Sequence, residues 1–488
     1  MTASKRYRFN ADDVGRVVDD RYMSETISGN SQWNGLDMPR RLWAIMAVAF
    51  GVSASVISGA IVNVALPTFS AEMSVSSADS VWAINSYQLA IVMTLLIFSN
   101  LGDIVGYRRI YISGLVLFTL ASLGCALAGS FTMLILCRIV EGVGAAAVTS
   151  INTTIIRIIY PRDRLARGLG INATIVAVSS VAGPSLAAAI LSVASWHWLF
   201  AVNIPIGIVA FVFSYRFLPK NPVRVVGRRL DWRDCVLNAL TFGLLIFSIE
   251  AFSHDVAMPV VSATLVATAV VGFVYVRRQL GKESPLLPFD LLRIPIFSLS
   301  ILTSICSFTA QMLAMVSLPF ILQHSLGYTP VDTGLLLMAW PMVIVVVAPL
   351  AGRLVERIHA GVLGLTGLAV MTAGLVALGT MSSHPSAADV VWRLVLCGAG
   401  FGLFQSPNNS IMIASAPQHR SGSASGMLAT ARLLGQTSGA AMVALLFHIF
   451  DGETTVAPMF VAAGFAATGA LVSASRIRLP LPEALRRR

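Results

Sequence analysis

The sequence predicts an all-α integral membrane protein with fourteen transmembrane helices. Of its 488 residues, 56% are hydrophobic and 12% are charged, whereas soluble domains carry about 25% charged residues. Apolar runs of about 20 residues recur along the whole chain, and each is long enough to cross a hydrocarbon core about 30 Å thick as a helix. The alternating segments of about ten residues that a transmembrane β-barrel requires are not visible. These observations settle the class.

The apolar runs divide the chain into spans and tails. Residues 1–40 are polar and lack the apolar core and cleavage site of a signal peptide, so we predict a cytoplasmic tail. Residues 477–488 form a second, basic tail. We place the spans near residues 42–66, 80–99, 109–128, 132–156, 166–190, 197–217, 235–253, 258–276, 296–320, 333–351, 361–380, 390–415, 423–448 and 457–476.

Basic residues lie on one side of the predicted membrane. The chain has a net charge of +11, and its Lys and Arg residues cluster in the tails and in the loops that join even-numbered spans to odd-numbered ones. The loops that join odd-numbered to even-numbered spans contain none. By the positive-inside rule, both termini of this multi-pass protein lie in the cytoplasm, which indicates the cytoplasmic (inner) membrane. The same distribution argues against a nucleic-acid partner.

The two halves of the chain resemble each other. Pro67 in VALP matches Pro319 in SLPF, and PRDR at 161–164 matches PQHR at 417–420 at nearly the same separation. The loop after span 2 is likewise echoed after span 10. We therefore predict two pseudo-symmetric six-helix bundles, with the substrate site between them at mid-membrane. The bundles occupy residues 41–217 and 296–476, and residues 218–295 hold two inserted helices with cytoplasmic linkers.

Several short motifs between residues 40 and 476 resemble those of a known transporter family. They are SNLGDIVGYRR at 99–109, with Asp103, Gly106 and Arg109; RIVEGVG at 138–144, led by Arg138; VAGPSLAAAI at 181–190, with Gly183 and Pro184; SWHWLFAVNIPIG at 195–207; and FGLFQSPNNS at 401–410. Together they resemble the major facilitator superfamily, in its fourteen-helix drug:proton antiporter branch. The resemblance implies the major facilitator fold, multidrug efflux and alternating access.

The chain departs from that branch at three places. Ser58 stands where helix 1 of the branch commonly carries an Asp, and Ser99 replaces the first Gly of the helix-2/3 signature. Ala187 and Ala188 replace a Gly-Gly pair after the helix-5 motif. The missing helix-1 carboxylate separates this chain from transporters of lipophilic cations.

Arg138 and Glu141 lie inside an otherwise apolar span. At 1.5 Å per residue, they are about 9 Å and about 14 Å deep, where each charge costs about 2.5–3.5 kcal/mol. Their i, i+3 spacing lets the side chains meet on one helix face. Because burial and the guanidinium act on the carboxylate's protonation in opposite senses, Glu141 is our candidate proton carrier. A structural clamp is the alternative, and Glu250 is the second candidate carrier.

Two groups of residues are candidate gates. The resemblance places Asp103, Gly106 and Arg109 at the cytoplasmic face, where the two charges would form a latch between helices; a solvated loop is the alternative. Gly183 and Pro184 would form a bend in helix 5 on which the halves rock.

Polar side chains within the spans are candidates for a substrate cavity. They are Ser58, Asn63, Gln88, Gln311, Gln405, Asn408, Asn409, Arg432 and Gln436. Each amide could instead hold two helices together, worth about 0.6 kcal/mol. Arg138 and Arg432 against Glu141 leave little negative charge, so we predict neutral, zwitterionic or singly charged amphipathic substrates.

These observations predict a proton-coupled exporter of amphipathic small molecules. A symporter or uniporter that imports one nutrient is the alternative. An enzyme is not expected, since no nucleophile, base or metal ligands cluster, and neither a metal site nor an ATP-binding loop is visible. The expected partners are a small-molecule substrate and the lipid bilayer, with the proton as coupling ion and no other cofactor. Short outer loops favour a monomer without an adaptor protein.

Overall fold

The structure is a computed structural model. It describes residues 35–161, 164–220, 230–253, 257–280, 282, 285–355, 357–382, 384–416, 421–450 and 455–479. The two predicted tails, at 1–40 and 477–488, therefore lie largely outside the described residues.

Within the described residues, thirteen helices are long and apolar enough to cross a membrane. A further helix, Ser421–Ile449, is 29 residues long. In chain order these are α1 (Arg40–Glu72), α2 (Ser77–Val105), α3 (Tyr107–Ala126), α4 (Phe131–Ile159), α5 (Arg167–Leu191), α6 (His197–Phe217), α7 (Trp232–Ile249), α8 (Met258–Leu280), α9 (Pro295–Ser325), α10 (Pro330–Leu354), α11 (Ala360–Gly379), α12 (Ala387–Ser415), α13 (Ser421–Ile449) and α14 (Ala457–Arg478). The prediction of an all-α membrane protein is confirmed.

Two helices continue past their predicted ends. Span 1 was expected to stop at residue 66, but α1 carries Pro67 within the helix and runs on to Glu72. Likewise α9 includes Pro319 and ends in a π-helical turn, Ile321–Ser325. Membrane helices tolerate an internal proline because neighbouring helices and local adjustments satisfy the freed backbone groups.

The same packing pattern occurs in both halves. In the first, α1 packs on α5 and α6, α2 on α4, and α3 on α4 and α6. In the second, α9 packs on α13 and α14, α10 on α12, and α11 on α12 and α14. The halves meet through α5 with α10, α2 with α13, and α1 with α9. Each pairing maps onto a counterpart eight helices away, as a duplicated unit requires.

The two ends of the helix bundle are packed differently. We call the end with the even-to-odd loops the basic end. At the opposite end, one buried core joins Phe69 and Phe200 of the first half to Phe320 and Trp340 of the second. Toward the basic end, one core contains only first-half residues between 36 and 218, and a smaller one contains only Ile296, Ala360 and Ile411. A further core joins Leu95 and Leu96 of α2 to Met427 of α13 beside the inserted helices. The halves are therefore in contact on both sides, and the larger shared core lies at the opposite end.

The inserted helices lie against the junction of the two halves. Helix α7 packs on α2 and α13 as well as on α8, and Asn238 Nδ2 donates to the Met93 carbonyl of α2 at 3.0 Å. Lys282 and Arg278 pair with Asp231 and Asp234 at the basic end. The hydrogen bond from Lys282 lowers the pKa of Asp231. Helix α7, supported by α8, thus covers one side of the contact between α2 and α13.

Candidate functional site

Helix α4 carries the two buried charges and packs unusually close to its neighbours. Ser130 caps its first turn by accepting from Met133 N. A Cβ added at Gly142 would lie 2.4 Å from the Tyr87 carbonyl of α2, and one at Gly144 would lie 2.5 Å from a backbone nitrogen of α3. Only glycine permits such approach. As a result α2 and α3 cover the face of α4 that holds Arg138 and Glu141.

Glu141 is fully buried and its carboxylate is surrounded by donors. Oε1 accepts from Ser58 Oγ and from Ser122 Oγ, both at 2.8 Å. Oε2 accepts from Arg138 Nη1 at 2.7 Å and from Cys125 Sγ at 3.7 Å. Four donors therefore surround the carboxylate, which has no surface accessible to solvent.

Arg138 is also fully buried, and it lies between two aromatic rings. Its guanidinium carbon lies 4.0 Å from the centre of the Tyr87 ring and 5.7 Å from that of Phe200. Nε donates to the Ala83 carbonyl at 2.9 Å, and Nη1 donates to Ser58 Oγ at 2.9 Å. Nη2 has no hydrogen-bond partner among the described residues. The pair is electrically neutral as a unit, and Ser58 bridges its two members.

A cavity of about 260 Å³ lies between the two halves and is lined by side chains of helices from both. Its wall combines apolar, aromatic and amide side chains. The lining residues that carry polar groups or rings are Ser55, Asn63, Tyr87, Gln88, Thr149, Ser180, Gln311, Trp340, Arg432 and Gln436. Ligand pockets are typically apolar with a few placed polar groups and about 300–1,000 Å³ in volume. This cavity has the same mixed wall and lies just below that size range, so it suits a small amphipathic molecule.

Tyr87 separates the cavity from the buried ion pair. One face of its ring contacts the Arg138 guanidinium, while the residue also lines the cavity. Its hydroxyl donates to the Ser55 carbonyl of α1 at 2.9 Å, which holds the ring in place. Glu141 is therefore adjacent to the cavity but is not part of its wall.

Arg432 is the only charged side chain among the described residues that line the cavity. It projects from α13, eleven residues after the helix begins at Ser421. It makes no hydrogen bond or ion pair with any part of the chain that the structure describes. Its guanidinium donors are thus available within the cavity.

The structure separates the predicted cavity residues into two sets. Asn63, Gln88, Gln311, Arg432 and Gln436 come together around the cavity. Four residues lie outside it: Ser58, Gln405, Asn408 and Asn409. Ser58 is excluded because its hydroxyl is held within the Arg138–Glu141 pair.

Asn408 lies outside the cavity because it binds a third buried arginine. Arg476 is fully buried, although its place at the end of a span suggested a solvated basic residue. Its Nη1 donates to Asn408 Oδ1 at 2.5 Å and to Ser300 Oγ at 2.8 Å, and Nη2 donates to Ser473 Oγ at 2.6 Å. Sequence analysis missed this cluster because its members lie on three different helices.

The predicted latch residues lie at the junction of α2 and α3. Gly106 has φ +113° between the two helices, a conformation that favours glycine. Asp103 accepts a hydrogen bond from Tyr107, whereas Arg109 is exposed. No ion pair joins these two described residues.

Gly183 and Pro184 lie where three helices meet. A Cβ at Gly183 would be 2.5 Å from the Ala60 side chain of α1. Pro184 lines the cavity, and its carbonyl would lie 2.7 Å from a Cβ added at Gly334 of α10. The motif therefore sits at the contact between the halves. The side chain of Glu250, the second candidate carrier, lies outside the described residues.

Comparison with known proteins identifies the family. Residues 48–440 match the Major Facilitator Superfamily. The chain is 55% identical to the uncharacterized transporter YebQ of Escherichia coli, over 92% of this chain and 98% of that protein. It is 27% identical to the riboflavin transporter RibZ of Clostridioides difficile, over 84% and 89% of the two chains. It is 30% identical to the multidrug resistance protein Stp of Mycobacterium tuberculosis, over 83% and 75%. The chain is a multi-pass membrane protein that belongs to the Major Facilitator Superfamily of transporters.

Proposed function

We propose that the protein is a proton-coupled antiporter that exports amphipathic small molecules by alternating access. The observation that carries the proposal is the fully buried Glu141 carboxylate, which lies behind one wall of the cavity and is paired with Arg138. A buried carboxylate balanced between desolvation and an opposite charge changes protonation with small changes in its surroundings. Substrate in the cavity can supply such a change through Tyr87, which lines the cavity and packs on the Arg138 guanidinium.

In the proposed cycle the basic end faces the cytoplasm. The substrate enters the cavity from that side while the opposite end is closed, and Glu141 gives up its proton to the same side as the substrate binds. Rocking of the two halves about the contact at Gly183 and Pro184 then opens the opposite end. Asp103 and Arg109 would form their latch in that second state. After the substrate leaves, Glu141 takes up a proton from outside and the halves return.

The proposed setting is the cytoplasmic membrane, with both termini in the cytoplasm. The short loops at the opposite end support a monomer that acts without an adaptor. The proton is the proposed coupling ion. These proposals rest on the basic residues at one end of the bundle and on the bacterial relatives.

The relatives support export but also favour a second candidate. Stp bears the name of a multidrug resistance protein, which supports export of drug-like molecules. RibZ is named a riboflavin transporter, which supports a carrier of one nutrient that works by symport or uniport. The direction of proton movement on substrate addition separates the two.

The test uses everted membrane vesicles whose lumen has been acidified by respiration. A panel of amphipathic compounds is added while a pH-sensitive dye reports lumenal acidity. We expect at least one compound to release protons from vesicles that contain the wild type. No compound should release protons from vesicles that contain Glu141→Gln. Asp389→Asn is the matched control, since it removes the carboxylate of the Asp389–Arg393 ion pair of α12, which lies outside the cavity.

Two outcomes would contradict the proposal. Acidification of the lumen on substrate addition would indicate symport. Equal proton release from the wild type and Glu141→Gln would show that the ion pair is structural and that another group carries the proton.

A further inference from the structure

We infer that the cavity is built for an amphipathic organic monoanion, in which a carboxylate or a similar planar anionic group binds Arg432. The inference rests on the proposed function, because it names the substrate class of the same cavity. It narrows the class that the sequence alone predicts, which includes neutral, zwitterionic and singly charged molecules.

The wall of the cavity carries a net positive charge. Among the described residues that line the cavity, Arg432 is charged and no carboxylate faces it. Glu141 does not compensate this charge, since its Oε2 is paired with Arg138 at 2.7 Å and the Tyr87 ring lies between that pair and the cavity. Arg432 is half-buried, and a charge withdrawn from water without a partner is costly. An anionic ligand supplies the missing partner.

The geometry of the Arg432 guanidinium suits a planar anionic group. A guanidinium offers a planar fork of N–H groups that matches a carboxylate with two parallel hydrogen bonds. Arg432 has no hydrogen bond or ion pair within the described chain, so its fork is not committed to the protein. One guanidinium balances one negative charge, which selects a monoanion over a dianion.

The rest of the cavity wall bears on the remainder of the ligand. Asn63 and Gln88 line the cavity, and their enclosed side-chain oxygens have no hydrogen-bond partner among the described residues. Acceptors of this kind require donors, so amides that turn toward the cavity would be matched by a ligand with N–H or O–H groups. Met312 and Met315 are apolar lining residues. An aromatic acid with an amide or hydroxyl group meets all three requirements.

The test compares three matched probes. These are naphthylacetyl-glycine, which is an anion; naphthylacetyl-glycinamide, which is neutral; and naphthylacetyl-ethylenediamine, which is a cation. All three keep the ring and the amide N–H and differ in terminal charge. Binding to the purified protein in detergent is measured by equilibrium dialysis with the naphthyl fluorescence as readout.

We expect the anion to bind the wild type about tenfold to a hundredfold more tightly than the neutral probe, as a hydrogen bond between charged groups provides. Arg432→Gln should reduce this preference to about one, and Arg432→Lys should keep part of it because the charge remains. Because Arg432 makes no hydrogen bond or ion pair within the described chain, both variants should remain monodisperse. Gln311→Glu places a carboxylate in the same cavity and should shift the preference toward the cation.

Three results would overturn the inference: tightest binding of the cation, an anion preference that survives Arg432→Gln, or binding of none of the probes. The vesicle assay, with vesicles lacking the protein as control, separates this failure from failure of antiport. Proton release by the cation but not by the anion would support antiport and contradict the inference of an anionic substrate. Arg432-dependent binding of the anion without any proton release would support the anionic substrate and contradict antiport.

Discussion

Removing one member of the buried ion pair should lower the free energy of unfolding more than removing both members. At the observed Nη1–Oε2 distance of 2.7 Å, the Coulomb attraction is about 6 kcal/mol at an effective dielectric constant of about 20. Desolvation offsets much of this. Glu141→Leu leaves Arg138 charged, buried and without its partner, so we expect it to lower the free energy of unfolding by about 3–5 kcal/mol. The double variant Arg138→Leu/Glu141→Leu removes both charges and should cost about 2 kcal/mol or less.

The free energies of unfolding are measured by titration of the purified protein in mixed micelles with a denaturing detergent. The wild type, the two single variants and the double variant form a thermodynamic cycle. We expect the double variant to be more stable than Glu141→Leu. If Glu141→Leu costs less than about 1 kcal/mol, or the double variant is as unstable as the single one, the assignment of a buried and mutually dependent pair is wrong.

The double variant also separates the two roles considered for Glu141. It retains the fold while lacking the carboxylate, so a loss of transport cannot be attributed to unfolding. As a proton carrier, Glu141 is indispensable, and the stable double variant should bind ligand without releasing protons in everted vesicles. Proton release at the wild-type rate by the double variant would identify the pair as a structural clamp.

Two further predictions concern the neighbours of the pair. Tyr87→Ala should expose the pair to the cavity and let the pH gradient of everted vesicles decay faster without substrate, whereas Tyr87→Phe, which keeps the ring, should not. Equal decay in Tyr87→Ala and the wild type would show that the ring is no barrier. Gly144→Ala should lower the free energy of unfolding by about 1–3 kcal/mol, because its Cβ would lie 2.5 Å from the backbone of α3. Gly464→Ala, with no atom within 4 Å of the added Cβ, is the control; equal effects of the two would refute the close approach.

Several features of the site could be recognised in the sequence because they are local. Arg138 and Glu141 are three residues apart on one helix, so their contact follows from helical geometry alone. Arg432 is conspicuous because charges are rare inside membrane spans. Amide side chains are common both in cavities and at helix contacts. Because of that ambiguity, the sequence could not distinguish Asn63 and Gln88, which line the cavity, from Asn408, which lies outside it.

Other features could not be recognised because they depend on contacts between distant helices. Ser58 forms part of the ion pair only because α1 brings its hydroxyl to within 2.8 Å of Glu141, which lies 83 residues further along the chain. Tyr87 has no periodicity or motif that marks it as the wall between the cavity and the pair. Arg476 has the sequence context of a solvated basic residue. Its burial depends on Ser300 and Asn408 from two other helices.

The sequence by itself determined the all-α membrane class, the order of the spans and the family, and it predicts their orientation. These depend on hydropathy over about 20 residues, on the placement of basic residues and on short motifs, all of which are local. Only the tertiary structure decided which polar side chains share one cavity, that Glu141 lies behind its wall, and that Arg432 is the one charge in that wall among the described residues. The physical reason is that burial and pairing of a charge depend on atoms supplied by other helices, and the duplicated packing sets which helices those are.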